Sequence, residues 1–157
     1  MTQRRVGALI IGIGNPDRGD DAAGRAVAAR LKARVPRNVR VIECGGEATA
    51  LLARFCEADE VILIDAATSG AAAGTVERFE AHTGPLPAAR FGVSTHGFGL
   101  AEAIELARTL GELPRRCVVY AIEGRSFAIG EALSQDVEDA VGRVAAHILD
   151  EVCEKAG

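Results

Sequence analysis

Residues 12–24 read Gly12-Ile13-Gly14-Asn15-Pro16-Asp17-Arg18-Gly19-Asp20-Asp21-Ala22-Ala23-Gly24. The stretch joins two segments of opposite periodicity. Before it, Val6 to Ile13 is a near-continuous apolar run, the pattern of a strand covered on both faces. After it, Ala23, Val27 and Leu31 recur at helical spacing over about Asp20 to Arg34, and Pro36 stops the helix. A strand, a Gly-rich turn and a helix open a βα unit, and the rest of the chain repeats that alternation.

A second strand, Val39 to Glu43, ends at Gly45-Gly46 and leads to a helix over about Ala48 to Glu57. The third strand, Glu60 to Asp65, is apolar from Val61 until its last residue. Gly70 and Gly74 bracket a turn into a fourth strand, Thr75 to Glu80. That connection is too short for a helical crossover, so the fourth strand is expected to lie antiparallel to the third. Residues 81–95 form a long loop, a kind of segment often functional in a small domain. A third helix is expected over about His96 to Leu110, with Leu100, Ala103, Ala107 and Leu110 on its buried face. Cys117 to Ile122 gives the fifth strand. Ser134 to Glu154 gives the last helix, with Ser134 as N-cap and Val137, Val141, Val144, Ile148 and Val152 as its stripe. The fold class is α/β: one three-layer domain over residues 1–157, with a mostly parallel sheet, one antiparallel strand and helices on both faces.

Composition narrows the function classes. The 157 residues are 48% hydrophobic and 25% charged, with a net charge of −4. An acidic balance without a clustered basic face argues against nucleic acid. No apolar run approaches the length of a membrane span. Arg4-Arg5 before the first apolar run looks like the start of a signal peptide, but no small-residue cleavage site follows. Cysteines stand at 44, 56, 117 and 153, with no Cys-x-x-Cys pair. Cys117 and Cys153 read as small core residues. The expected compartment is the reducing cytoplasm.

The turn tests three ligands. A dinucleotide fingerprint needs Gly-x-Gly-x-x-Gly, and Asp17 occupies the third glycine position. A phosphate loop needs Lys and Ser or Thr after its second glycine; here Asp20-Asp21 inverts the charge. Two acids at a helix start suit the helix dipole but repel phosphate. They suit a cation or a polar group. Asp20 reads first as the cap of the helix, which leaves Asp21 free to point elsewhere. Asp65 ends a central strand, where a charge needs a partner or a ligand. With the strand order 2-1-3, Asp21 and Asp65 converge over one edge of the sheet. His96, at a helix start after Ser94-Thr95, is favoured as the neutral imidazole, the form that binds metal. Two oxygens and one nitrogen from three separate turns make a cation site with open positions. His82 lacks a flanking motif, His147 lies off its helix stripe, and Ser94 reads as a cap.

On these residues the chain resembles the hydrogenase maturation endopeptidases along nearly its whole length. The matching segments are Gly14-Asn15, Gly19-Asp20-Asp21, Gly24, Gly45-Gly46, Asp65-Ala66, and His96 with Leu100-Ala101. The resemblance implies a twisted five-stranded sheet between helices. It implies that Asp21, Asp65 and His96 are the catalytic and nickel-engaging residues. It further implies a partner, the nickel-iron hydrogenase large-subunit precursor, whose C-terminal extension is removed after nickel insertion. The nickel arrives with that precursor. Pro16 and Cys44 depart from the usual pattern without touching the three residues. Rival readings are a nucleotide- or dinucleotide-binding domain, with Glu43 on a ribose hydroxyl, a peptidyl-tRNA hydrolase with a similar Gly-Asn-Pro turn, and a partner protein that kept the fold without activity.

Overall fold

A computed structural model describes residues 6–87 and 99–156. Five strands form one sheet in the order β2-β1-β3-β5-β4. The strands are β1 (Val6–Ile13), β2 (Val39–Cys44), β3 (Ala58–Ala67), β4 (Val76–Glu80) and β5 (Arg116–Glu123). Among the described residues the α-helices are α1 (Ala23–Leu31), α2 (Ala48–Phe55), α3 (Leu100–Leu110) and α4 (Gln135–Ala156). β2, β1, β3 and β5 run parallel, and β4 is the antiparallel edge strand.

Strand alternation divides the core in two. Ile10, Ile62, Ile64 and Val118 face α1 and α4, where Val27, Leu31, Val141 and Ile148 meet them. Leu9, Ile11, Leu63 and Val119 face α2 and α3, against Leu51, Phe55 and Ile104. These side chains are fully buried, each contributing about 1.5–3 kcal/mol by leaving water. The covered sheet fixes the height at which β1 and β3 end. In register, Gly12 stands beside Ile64 and Ile13 beside Cys44.

The fourth strand runs antiparallel to β3 as expected, but its hydrogen-bonded partner is β5. β5 inserts between them, and residues 68–75 cross its end. The carboxylate of Glu123, at the tip of β5, accepts bonds from the Ser69 N–H, the Ser69 hydroxyl and the Gly70 N–H. A buried acid thus satisfies the crossing backbone that a direct hairpin would have paired.

Three expectations from periodicity also change. Leu110 is 56% exposed and Ile104 takes its place in the core. Leu110 is the last residue of α3 before Gly111 (φ 71°), where the chain turns off the helix axis. Cys153 is exposed, one position round from Val152, while Cys117 is buried as expected. All four cysteines are free thiols. Ser134 does lie just before α4, but its N–H and hydroxyl both donate to Asp20.

Candidate active site at the carboxyl edge of the sheet

The first helix does not begin at Asp20. Gly19–Ala22 forms a 3-10 turn, and α1 starts after it at Ala23. Neither has a side-chain cap at its N-terminus. Asp20 is fully buried and turned away from the helix. One oxygen, Oδ2, accepts from the Arg125 N–H (2.8 Å), the Ser126 N–H (3.0 Å) and the Ser134 hydroxyl (2.7 Å). Oδ1 accepts from the Ser134 N–H (2.7 Å). Burial alone would raise its pKa, yet the bonds from Ser134, Arg125 and Ser126 hold it below the ordinary value. Four donors outcompete a helix end, which is why the capping expectation fails.

Asp21 is also buried, and its Oδ2 accepts from the Asn15 N–H at 3.0 Å. The glycines around it are there for close approach. Gly14 has φ +144°, and a Cβ on it would stand 1.8 Å from the Asp21 carbonyl oxygen. Gly24 sets α1 against both strand ends, within reach of the Ile13 and Ile64 carbonyls. The signature glycines therefore press the turn onto β1 and β3.

Asp65 shares strand parity with Val61 and Leu63, so it projects on the α2 and α3 side. It is half-buried, and its Oδ1 accepts from the Ala66 N–H at 2.8 Å. Burial first, and then the charge of Asp21, push its pKa up to about 7; the Ala66 bond opposes this. The two acids predicted to converge are thus electrostatically coupled. His96, the expected third member, lies outside the described residues, as does Ser94. Among the described residues no three His, Cys, Asp or Glu side chains gather as a metal shell.

Of two neighbours of the acids, Arg25 went unnamed in the sequence reading and Cys44 was named only as a departure that does not touch the three residues. Arg25 Nε donates to the Gly14 carbonyl. It lies one helical turn beyond Asp21, a spacing at which a cation beside an acid is legible. The Cys44 thiol, at the end of β2, is pushed up by burial and feels the charges of Arg25 and Asp65. The other histidines belong elsewhere. His82 Nδ1 accepts from the Cys117 N–H, at the amino end of β5, and His147 Nδ1 lies 2.7 Å from the Tyr120 hydroxyl. Glu43 pairs with Lys32, so its carboxylate is engaged.

The arrangement offers two coupled carboxylates, each accepting from a backbone N–H, at the edge where open α/β sheets bind ligands. It can attract a cation, and it can take up or release a proton near neutral pH. No helix among the described residues is long and apolar enough to cross a membrane.

Comparison with known proteins adds the following. The sequence profile of a family described as hydrogenase maturation protease matches residues 25–151. A hydrogenase expression/formation protein, HupD, from Thiocapsa roseopersicina is 31% identical over 117 residues. That match covers 73% of this chain and spans 53% of the relative's length. Among solved structures, HycI, a [NiFe] hydrogenase maturation protease from Thermococcus kodakarensis KOD1, superposes with a TM-score of 0.73 at 28% identity, covering 93% of this chain and 92% of that one. The hydrogenase maturating endopeptidase HybD from E. coli shares the fold, with a TM-score of 0.80 at 24% identity over 96% of this chain and 94% of that one.

Proposed function

The chain belongs to the hydrogenase maturation protease family, a family of peptidases, and we propose that it trims the C-terminal extension of a nickel-iron hydrogenase large-subunit precursor once nickel is in place. Nickel here is part of the substrate, brought in by the precursor and used as the recognition element. The reaction belongs in the cytoplasm.

The observation that carries this reading is the charge interaction between Asp21, in the turn that follows β1, and Asp65, near the end of β3. Two carboxylates close enough to interact at a partly buried edge repel one another, and a divalent cation relieves that repulsion. The donor set therefore fits a metal presented by another molecule. Asp21 and Asp65 would hold it, with His96 as the third ligand by family likeness. When bound, the metal would polarise the scissile carbonyl or acidify a water.

The chain's own residues supply orientation and a proton site. Asn15 and Ala66 fix the two carboxylates through their N–H groups. Before the metal arrives Asp65 takes up a proton at about 7, and a cation held on its carboxylate would displace that proton.

The test uses purified precursor, nickel-loaded and nickel-free, with the large-subunit mass as readout. Wild type is expected to shorten only the loaded precursor. Asp21→Asn, Asp65→Asn and His96→Ala are each expected to slow cleavage by about 10²-fold or more while folding normally. Equal trimming of both precursors, or full activity in Asp65→Asn, would overturn the reading.

A further inference from the structure

Asp20 and Asp21 are adjacent acids of opposite destiny. Asp21 joins Asp65; Asp20 spends its carboxylate on a loop more than a hundred residues later in the chain. We propose that Asp20 is a positioning residue, clamping the turn that carries Asp21 to the loop between β5 and α4 and so setting where the Asp21 carboxylate stands. This rests on the reading of Asp21 as part of the peptidase site.

The geometry points to the turn as the thing being held. The 3-10 turn is four residues long and has no side-chain cap. Its position depends on the loop at several points. The Asp20 N–H donates to the Ser126 carbonyl at 2.8 Å, and the Gly130 N–H donates to the Asp17 carbonyl at 2.8 Å. A Cβ on Gly19 would stand 2.5 Å from the Ser126 carbonyl oxygen, so turn and loop touch backbone to backbone. On the Asp20 side chain all four donors are N–H or O–H groups, with distances of 2.7–3.0 Å. Only a carboxylate accepts on both oxygens at once. An asparagine would place its NH₂ against at least one of those donors. Asp21 follows by one peptide bond in a stiff turn, so a shift of Asp20 moves Asp21 relative to Asp65.

Two variants test this, Asp20→Asn and the milder Ser134→Ala, which removes only the hydroxyl donor. The substrate is the nickel-loaded precursor, and rates are taken per folded molecule. For Asp20→Asn, kcat is expected to fall by about 10²-fold with KM little changed, the scale of an ångström of misplacement. Ser134→Ala should move kcat the same way by less. In an Asp21→Asn background, Asp20→Asn should cost little more, because the group it positions is gone. A purely structural role would lower the melting temperature and leave kcat per folded molecule intact.

Wild-type kcat in both variants, or independent losses in the double variant, would overturn the positioning role while Asp21→Asn still reports on the functional reading. If Asp20→Asn does not fold, Ser134→Ala decides. If the wild-type chain does not cut the precursor, the functional reading fails and hydrogen exchange decides the placement. The Asn15 amide, bonded to Asp21 Oδ2, should then exchange faster in Asp20→Asn or Ser134→Ala; unchanged protection would sink the proposal.

Discussion

Gly24 packs against Ile64 so closely that a Cβ on it would stand 2.2 Å from the Ile64 carbonyl oxygen, with the Ile13 carbonyl oxygen 2.4 Å away. Both obstacles are backbone, in strands buried on two faces, so neither can step aside. Alanine favours a helix over glycine by about 1 kcal/mol, but overpacking of this kind costs about 1–3 kcal/mol or more. Gly24→Ala is expected to destabilise in urea unfolding. Gly142→Ala in α4 is the control: its Cβ would meet only the end of the Arg30 side chain, at 2.9 Å, and should be neutral or stabilising. Equal effects at the two sites would remove the packing argument.

Asp65 predicts a pH-dependent stability. Its native pKa of about 7 lies above the ordinary aspartate value of 3.8. A raised carboxyl pKa means that the fold prefers the proton. That contribution is whole below the unfolded value and is lost as pH rises through about 7. In metal-free buffer the melting temperature of Asp65→Asn should climb relative to wild type as pH rises from about 4 to about 7, and the difference should then hold to pH 8.5. Each kcal/mol corresponds to about 2–4 °C. A constant difference between about pH 4 and about pH 7 would contradict the buried pairing with Asp21.

Thiol labelling at pH 8 should separate the cysteines. Cys56 and Cys153 are exposed and should react first. Cys44, partly covered and shifted upward by burial, should lag. Cys117 is buried, with its pKa pushed up to about 12, and should react only on unfolding. Rapid modification of Cys117 in the native protein would show that the α3 side of the sheet opens.

Glu123→Gln should loosen the edge strand. The carboxylate holds Ser69 and Gly70 over the end of β5, and an amide nitrogen in place of one oxygen would face their donors. The expected cost is about 1–3 kcal/mol. Amide exchange of β4 should accelerate more than that of β1. Uniform acceleration would mean that Glu123 supports the whole fold rather than this crossing.

Where one physical rule governed an element, the sequence made it readable. The apolar runs of β1 and β3 and the stripe of α4 follow burial alone, and their places in the sheet agree with it. Asp21 and Asp65 were legible because a charge at a strand end or helix start has few bland explanations. The partner of β4 was not legible, because a short connector says antiparallel but not which strand will arrive later to fill the gap. The use of Asp20 was hidden for a related reason: capping is a local rule, and its four donors come from residues 125–134.

That distance has a temporal side. The strand and turn bearing Asp21 leave the ribosome early, but the four bonds to the Asp20 carboxylate form only after β5 and the start of α4 have been made and have docked. Closing so long a loop is slow compared with forming a helix. A chain interrupted before residue 134 would therefore lack those bonds, and the placement proposed for Asp21 would come with the final third of synthesis rather than with the motif itself.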